Sequence, residues 1–169
     1  AALAGLPPDR ELAEEHMRFR RESLPAAPAA EPLEAYALRA PDRREAARAF
    51  RAAAALSLEA EDAGAALRCA RRALARTRDD LTFAGPLLAR ILYLGGSAAE
   101  ALVVHRHLFE AGLDRLPPED ALVLARQLAE LAEEAGEVDL ARAALDQVLA
   151  LHPSDIDAAM RRFALDPDR

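Results

Sequence analysis

The stretch GEVDLARAALDQVLALHPSD, residues 136–155, opens on a glycine, continues through a helix-forming run and closes near a proline. Ala141 and Leu145 fall on one face of the helix that this spacing predicts. Immediately upstream, PEDALVLARQLAELAEEAG shows the same periodicity and ends on Gly136. Glycine readily adopts the left-handed backbone that ends a helix, and Pro153 cannot continue one. The pattern therefore predicts two helices that meet at Gly136 and form a hairpin.

Composition favours helices throughout the chain. The 169 residues are 52% hydrophobic and 30% charged, which is typical of a soluble globular protein. Much of the apolar fraction is alanine and leucine, and aromatic residues make up only 4%. Alanine and leucine lose little free energy on entering a helix. We therefore expect an all-α fold.

The spacing of glycine and alanine in the opening stretch recurs upstream. Gly96 and Ala101 reproduce it, and a third, less complete copy is centred on Ala66, with Glu61 at the glycine position. The alanines of successive copies are 35 and then 40 residues apart. An insertion is therefore expected in EAGLDRLPPED, residues 110–120.

These helix pairs resemble the tetratricopeptide repeat family over residues 42–153. In that family a pair of about 34 residues carries small residues where its helices touch, a glycine between them and a proline after the second. The matching positions are Leu128, Ala129, Gly136, Ala141, Leu145 and Pro153. The large aromatic usual early in the first helix is replaced by Ala125. The resemblance implies a right-handed superhelix of about three hairpins; an unrelated helical bundle is the alternative.

The N-terminal part, residues 1–41, is expected to precede the repeats. A short helix with Leu12, His16 and Phe19 on one side should lead into an extended connector, LPAAPAAEPL, whose prolines favour a semi-rigid chain. The helical domain is expected to cover residues 42–169.

A capping helix is expected over residues 154–165, with Ser154 or Asp155 as its N-cap. Its apolar stripe comprises Ile156, Ala159, Met160 and Phe163. Because the end of a stack of repeats exposes apolar surface, we expect this stripe to face the repeats as a lid. Binding a partner helix is the alternative.

Residues that support catalysis or metal binding form no recognisable pattern. The single cysteine, Cys69, is expected to pack inside a helix, and the chain contains no phosphate loop, nucleophile elbow, HExxH or CxxC motif. His105 and His107 should point apart on one helix, with His105 as a hydrogen-bonded core residue. We therefore expect no enzyme activity, no cofactor and no metal site.

Charge is distributed unevenly along the chain. Residues 1–108 hold 16 Arg against 15 acidic residues, and residues 109–169 hold 6 against 14, which gives +1 and −8 and the net charge of −7. This balance argues against a nucleic-acid partner. No apolar run is long enough to span a bilayer. We expect a cytoplasmic, bacterial protein, with the periplasm as the alternative if a signal or anchor upstream of Ala1 was removed.

The resemblance also implies a binding surface, because the first helices of such repeats line a concave groove that receives a peptide or a partner helix. The residues carried over to this groove are Arg48, Arg51, Phe83, Arg90, Tyr93, Arg126 and Glu130. Arginines beside aromatic rings suit an acidic or C-terminal carboxylate segment. The chain has no Asn, so a close copy of the family's carboxylate clamp is excluded. Simple solvation of these arginines is the alternative.

The sequence thus predicts a non-catalytic protein–protein interaction module, such as an adaptor, an assembly factor or a chaperone-like scaffold. The alternative is a regulatory or structural soluble portion of a larger protein that carries a membrane anchor or an enzymatic region. A second basic surface is expected on an outer helix, at Arg68, Arg71, Arg72 and Arg76. Together with the acidic C-terminal part, it is compatible with a head-to-tail homo-oligomer.

Overall fold

The computed structural model describes residues 26–77 and 80–166. Within these ranges the chain forms eight α-helices and one 3-10 turn, and no strand. They are α1 (Ala26–Arg39), α2 (Arg43–Glu59), α3 (Ala63–Arg76), α4 (Leu81–Leu94), α5 (Ala98–Ala111), the turn Leu113–Arg115, α6 (Pro118–Glu134), α7 (Val138–Leu151) and α8 (Ile156–Ala164). The all-α prediction is confirmed. The short helix predicted around Leu12 lies outside the described residues.

The chain divides between Ile91 and Leu92 into two compact units, here called unit 1 and unit 2. In unit 1, α2 packs against both α1 and α3. The helix begins at Arg43 because the Asp42 carboxylate accepts a hydrogen bond from the backbone N–H of Glu45 at 2.9 Å. Small side chains let its neighbours approach closely, and four alanines of α2 are fully buried: Ala46, Ala47, Ala53 and Ala54.

The expectation of an extended connector is wrong for the part that the structure describes. Residues 26–39 form α1, with Pro32 inside the helix. A proline within a helix removes one backbone hydrogen bond. Leu33, Tyr36 and Ala37 are nevertheless buried on one face, and such tertiary burial stabilises helices that propensity alone does not. Helix α1 therefore belongs to the same compact unit as α2.

In unit 2, α6 packs against α5 and α7, and α7 packs against α8. Ala129 and Ala141, which the sequence placed at a close contact between helices, both have 0% exposure. Leu128 and Leu145 are 1% exposed and form part of the same interior. The 3-10 turn Leu113–Arg115 lies within the predicted insertion.

One backbone turn occurs three times, at the positions that the sequence spacing predicted. Its left-handed residues are Glu61, Gly96 and Gly136, with φ of 60°, 70° and 74°. The residue that follows each of them donates a backbone hydrogen bond to a carbonyl in the last turn of the preceding helix: Asp62 to Ser57, Ser97 to Leu92 and Glu137 to Ala132, at 2.9, 3.0 and 2.8 Å. This closure is the Schellman pattern of helix ends, and it starts the next helix at once.

Helix α8 is present where the capping helix was expected, but its orientation differs from the prediction. Asp155 caps it, accepting a hydrogen bond from the backbone N–H of Ala158 at 3.0 Å. Ile156, Met160 and Phe163 face outward, with 73%, 68% and 53% of each exposed. The lid interpretation of this stripe is therefore wrong.

The other side of α8 is charged and contacts the two preceding helices. Arg161 donates two hydrogen bonds to the Glu133 carboxylate, at 3.2 and 3.1 Å. Arg162 pairs with Asp146 at 2.7 Å. These guanidinium–carboxylate pairs join α8 to α6 and α7, and they orient the helix by its polar face.

Truncation of Leu145 tests the interior of unit 2. Leu145→Ala should reduce the free energy of unfolding by roughly 2 to 5 kcal/mol, because a fully buried side chain leaves a cavity. Leu151→Ala is the control on the same helix, since Leu151 is 38% exposed, and it should cost less than about 1 kcal/mol. Urea unfolding followed by circular dichroism measures both. Equal losses would contradict the packing of α7.

Substitution of Glu61 tests the left-handed turn in unit 1. A side chain at this φ is strained, so Glu61→Gly should stabilise unit 1 by about 0.5 to 1 kcal/mol. Gly136→Ala is the reciprocal control: a Cβ there would meet no atom within 4 Å, so any loss of stability comes from the backbone angle alone. Thermal unfolding should show opposite shifts. A loss of stability in Glu61→Gly would argue against the strain.

Candidate functional site

The predicted groove residues of unit 1 come together around Phe83. The Arg51 guanidinium lies over the Phe83 ring, 5.0 Å from its centroid. Arg48 and Phe83 both line a concavity of about 480 Å³. The structure therefore joins three of the predicted residues into one surface. Arg90 is exposed and does not line this concavity.

This concavity, here called the arginine pocket, is strongly basic. Its lining residues are Arg43, Arg44, Arg48, Arg76, Thr77, Asp80 and Phe83. These described lining residues include four arginines and one aspartate, a formal charge of +3 (four minus one) among them. The pocket lies where the start of α2 meets the end of α3, and the Arg43 guanidinium reaches the Ala75 carbonyl at 3.5 Å.

Four described acidic side chains in or near the pocket have partners within unit 1. Glu45 accepts a hydrogen bond from the Tyr36 hydroxyl at 2.6 Å, and Asp42 caps α2. Glu34 pairs with Arg72, and Asp80 accepts a hydrogen bond from the Thr82 hydroxyl at 2.7 Å. Each of these carboxylates, including that of Asp80 in the pocket lining, therefore has a partner of its own within unit 1.

The arginines also occupy unfavourable positions on α2. Arg43 and Arg44 are its first two residues, where the helix dipole disfavours positive charge. Arg44 and Arg48 are four residues apart, and like charges at that spacing repel each other by a few tenths of a kcal/mol, about 0.2 to 0.5. Within the described residues neither has a hydrogen-bonded or ion-paired partner. The helix therefore carries positive charge that its own fold leaves uncompensated.

Sequence reasoning missed most of this pocket. Arg43 and Arg44 were not singled out from the sequence, and Arg76 was assigned to the outer basic surface. The available signal was the four-residue step from Arg44 to Arg48 in RREAAR, which places two charges on one side of a helix. The proximity of Arg76 depends on how the α2–α3 hairpin closes, and no local pattern reveals it.

The predicted outer basic surface is partly used within unit 1. Arg72 pairs with Glu34 of α1 and lies 5.7 Å from the centroid of the Phe50 ring. Arg76 lies 5.9 Å from the same centroid. Arg72 and Arg76 are therefore held against α1 and α2.

In unit 2, the predicted residues Tyr93 and Glu130 form a contact with each other. The Tyr93 hydroxyl donates a hydrogen bond to the Glu130 carboxylate, and this bond, together with partial burial and nearby negative charge, raises the pKa of Tyr93. The Tyr93 ring lies 6.3 Å from the ring of His105. This pair is an internal contact of unit 2.

His105 is the buried, hydrogen-bonded histidine that the sequence predicted. It is 1% exposed, its Nδ1 lies 2.7 Å from the Ala101 carbonyl and its Nε2 lies 3.1 Å from Gln127 Oε1. His107 is exposed, so the two rings point apart as expected. Across the part of the chain that is described, no group of three or more His, Cys, Asp or Glu side chains is placed to hold a metal ion.

Arg126 has an internal partner. Its Nε and Nη2 atoms lie 3.2 and 2.6 Å from the same oxygen of Asp155. The Ala158 N–H and the Arg126 guanidinium together lower the pKa of Asp155. Arg126 thus fixes the residue that caps α8, and its charge is already matched within unit 2.

Cys69 is packed in α3 as predicted, and it is 1% exposed. Burial and the neighbouring Glu34 raise the pKa of its thiol to about 11. Because the thiolate is the reactive form, this side chain is not activated as a nucleophile at neutral pH.

Comparison with models of known protein families gives no match, and comparison with curated proteins gives no significant match. Among the described helices, none combines the length and apolar character needed to cross a membrane.

The Tyr93–Glu130 contact makes a spectroscopic prediction. In a Tyr36→Phe background, which leaves Tyr93 as the remaining tyrosine, Glu130→Gln should lower the Tyr93 pKa, because the carboxylate favours the neutral phenol. Absorbance near the phenolate maximum, followed during alkaline titration, measures the change. Glu134→Gln is the control and should lower the pKa less, since Glu134 acts through charge alone. A larger effect of Glu134→Gln would exclude the hydrogen bond.

Proposed function

We propose that the chain is a non-catalytic protein-interaction module of tetratricopeptide-like hairpins that binds an acidic segment of a partner protein on unit 1. The observation that carries the proposal is the stacking of Arg51 on Phe83 at 5.0 Å, at the edge of the arginine pocket. A stacked guanidinium keeps its edge N–H groups available for a carboxylate, while the ring offers apolar contact. The guanidinium and the ring together suit a peptide segment in which an acidic residue is adjacent to an apolar residue.

The size of the arginine pocket favours an extended peptide as the occupant. At about 480 Å³ it lies at the lower end of the range for ligand pockets, about 300 to 1,000 Å³. Such a volume accommodates one or two side chains. We propose that one acidic side chain enters the pocket and that its neighbour packs on Phe83.

The repeated turn supports the proposed kinship with helical repeats. Three helix ends share one hydrogen-bonding pattern, and each leads directly into the next helix. Stacked hairpins of this kind expose surface along their first helices, and Arg48 and Arg51 lie on such a helix, α2. A right-handed superhelical arrangement of the hairpins is part of this proposal.

Selection from an unbiased peptide display library tests the proposed function. Peptides retained by the wild-type chain should be enriched in Asp or Glu beside a bulky apolar residue. Their affinities, measured by fluorescence anisotropy, should fall about five- to tenfold in Arg51→Gln, as for a partly exposed charge-assisted hydrogen bond. Binding should also weaken at high salt, because ions screen exposed charges.

The matched control is Arg115→Gln, which removes the same charge from an exposed position in unit 2. It should leave the affinity unchanged. If the retained peptides lack acidic residues, or if both variants lose affinity equally, the Arg51–Phe83 surface is not the binding site.

A further inference from the structure

We infer that the arginine pocket binds a phosphate monoester dianion, and that the partner segment therefore presents a phosphorylated side chain. The second half of this inference rests on the proposed function. The first half concerns the pocket alone. Both are carried by the number of arginines in the described lining, by the availability of Arg44 and Arg48, and by the shape of the site.

The charge of the pocket favours a dianion over a single carboxylate. The described lining residues include four arginines and one aspartate, so among them a bound carboxylate leaves a formal charge of +2, whereas a phosphate dianion leaves +1. A phosphate also presents three terminal oxygens, which accept parallel hydrogen bonds from guanidinium groups that approach from different sides. Arg44 and Arg48 approach from α2, and Arg76 approaches from the end of α3.

The guanidinium groups are partly held in place before any ligand arrives. Arg76 lies against Phe50, and Arg43 is directed by the Ala75 carbonyl. Less side-chain freedom is then lost on binding, which favours affinity. Arg44 and Arg48 retain their full set of donors within the described residues.

The walls of the pocket favour an ester over inorganic phosphate. Phe83 contributes an aromatic side chain to the pocket lining, and the volume of about 480 Å³ exceeds what a phosphate group fills. The organic group of the ester, whether an aromatic ring or an alkyl chain, would occupy this remaining space. Phe83 thus favours a phosphate ester of an aromatic or alkyl group over inorganic phosphate.

Phenyl phosphate tests the pocket without any peptide. In nuclear magnetic resonance titrations of the full chain, it should shift the side-chain Nε–H signals of the pocket arginines. It should bind more tightly than benzoate, which lacks the second charge, and more tightly than inorganic phosphate, which lacks the ring. Binding should weaken as the pH falls through about 6, where the phosphate monoester takes up a proton.

The variant Arg44→Gln/Arg48→Gln should weaken phenyl phosphate binding at least tenfold. The matched control is Arg68→Gln/Arg71→Gln, which removes two exposed charges from α3 outside the pocket lining and should bind as the wild type does. Because Arg44 and Arg48 repel each other, their variant should unfold at a temperature equal to or above that of the wild type. Loss of binding through misfolding is thereby distinguished from loss of ligand contacts.

A pair of synthetic peptides tests whether the partner segment presents a phosphorylated side chain. One selected peptide is prepared with its pocket-directed acidic residue as phosphoserine and as glutamate. The phosphorylated form should bind at least tenfold more tightly, and Arg44→Gln/Arg48→Gln should abolish that difference. Equal affinities of the two peptides would overturn the inference that the partner segment is phosphorylated. They would not contradict binding of an acidic peptide. Absence of phenyl phosphate binding, or equal weakening in both double variants, would overturn the pocket itself.

Discussion

Three of the turns between the described helices each depend on one residue with a left-handed backbone, after which the next N–H bonds back to the last turn of the helix just completed. This closure fixes the direction in which the following helix leaves. Small residues then determine how closely that helix returns, and the alanines that follow the three turns, Ala66, Ala101 and Ala141, all have 0% exposure. In unit 1 the turn at Glu61 makes α2 and α3 antiparallel, so the end of α3 returns to the start of α2. The arginine pocket exists because these two helix ends meet.

The arginines of the two units are used differently. In unit 2 the guanidinium groups of Arg126, Arg161 and Arg162 bond to carboxylates that hold α8, so their charge stabilises the fold. In unit 1 the nearby carboxylates serve as a helix cap and as partners of Tyr36 and Thr82. Arg44 and Arg48 of the pocket consequently remain available to an external anion. The net charge does not reveal this difference between the arginines of the two units. It becomes apparent only when the partner of each acidic group is identified.

The sequence predicted those features that depend on short spacing. Gly96 and Gly136 marked helix ends, and His105 was placed in the core, because a helical period relates neighbours along the chain. It did not predict α1, since proline content suggested an extended chain, whereas burial of Leu33 and Tyr36 against α2 decides the outcome. The orientation of α8 was also mispredicted: its charged side pairs with two other helices, and its apolar stripe faces outward. These outcomes depend on contacts between distant segments, which periodicity does not encode.

A few aromatic rings order several of the arginine side chains of unit 1. Only 4% of the chain is aromatic, yet Phe50 contacts two guanidinium groups and Phe83 contacts a third. Stacking restricts a long arginine side chain at little cost in hydrogen-bonding capacity, because the N–H groups point from the edge of the guanidinium plane. A ring beneath an arginine therefore orders the donor without neutralising it. A carboxylate partner would order the same side chain but would cancel the charge that an anionic ligand requires.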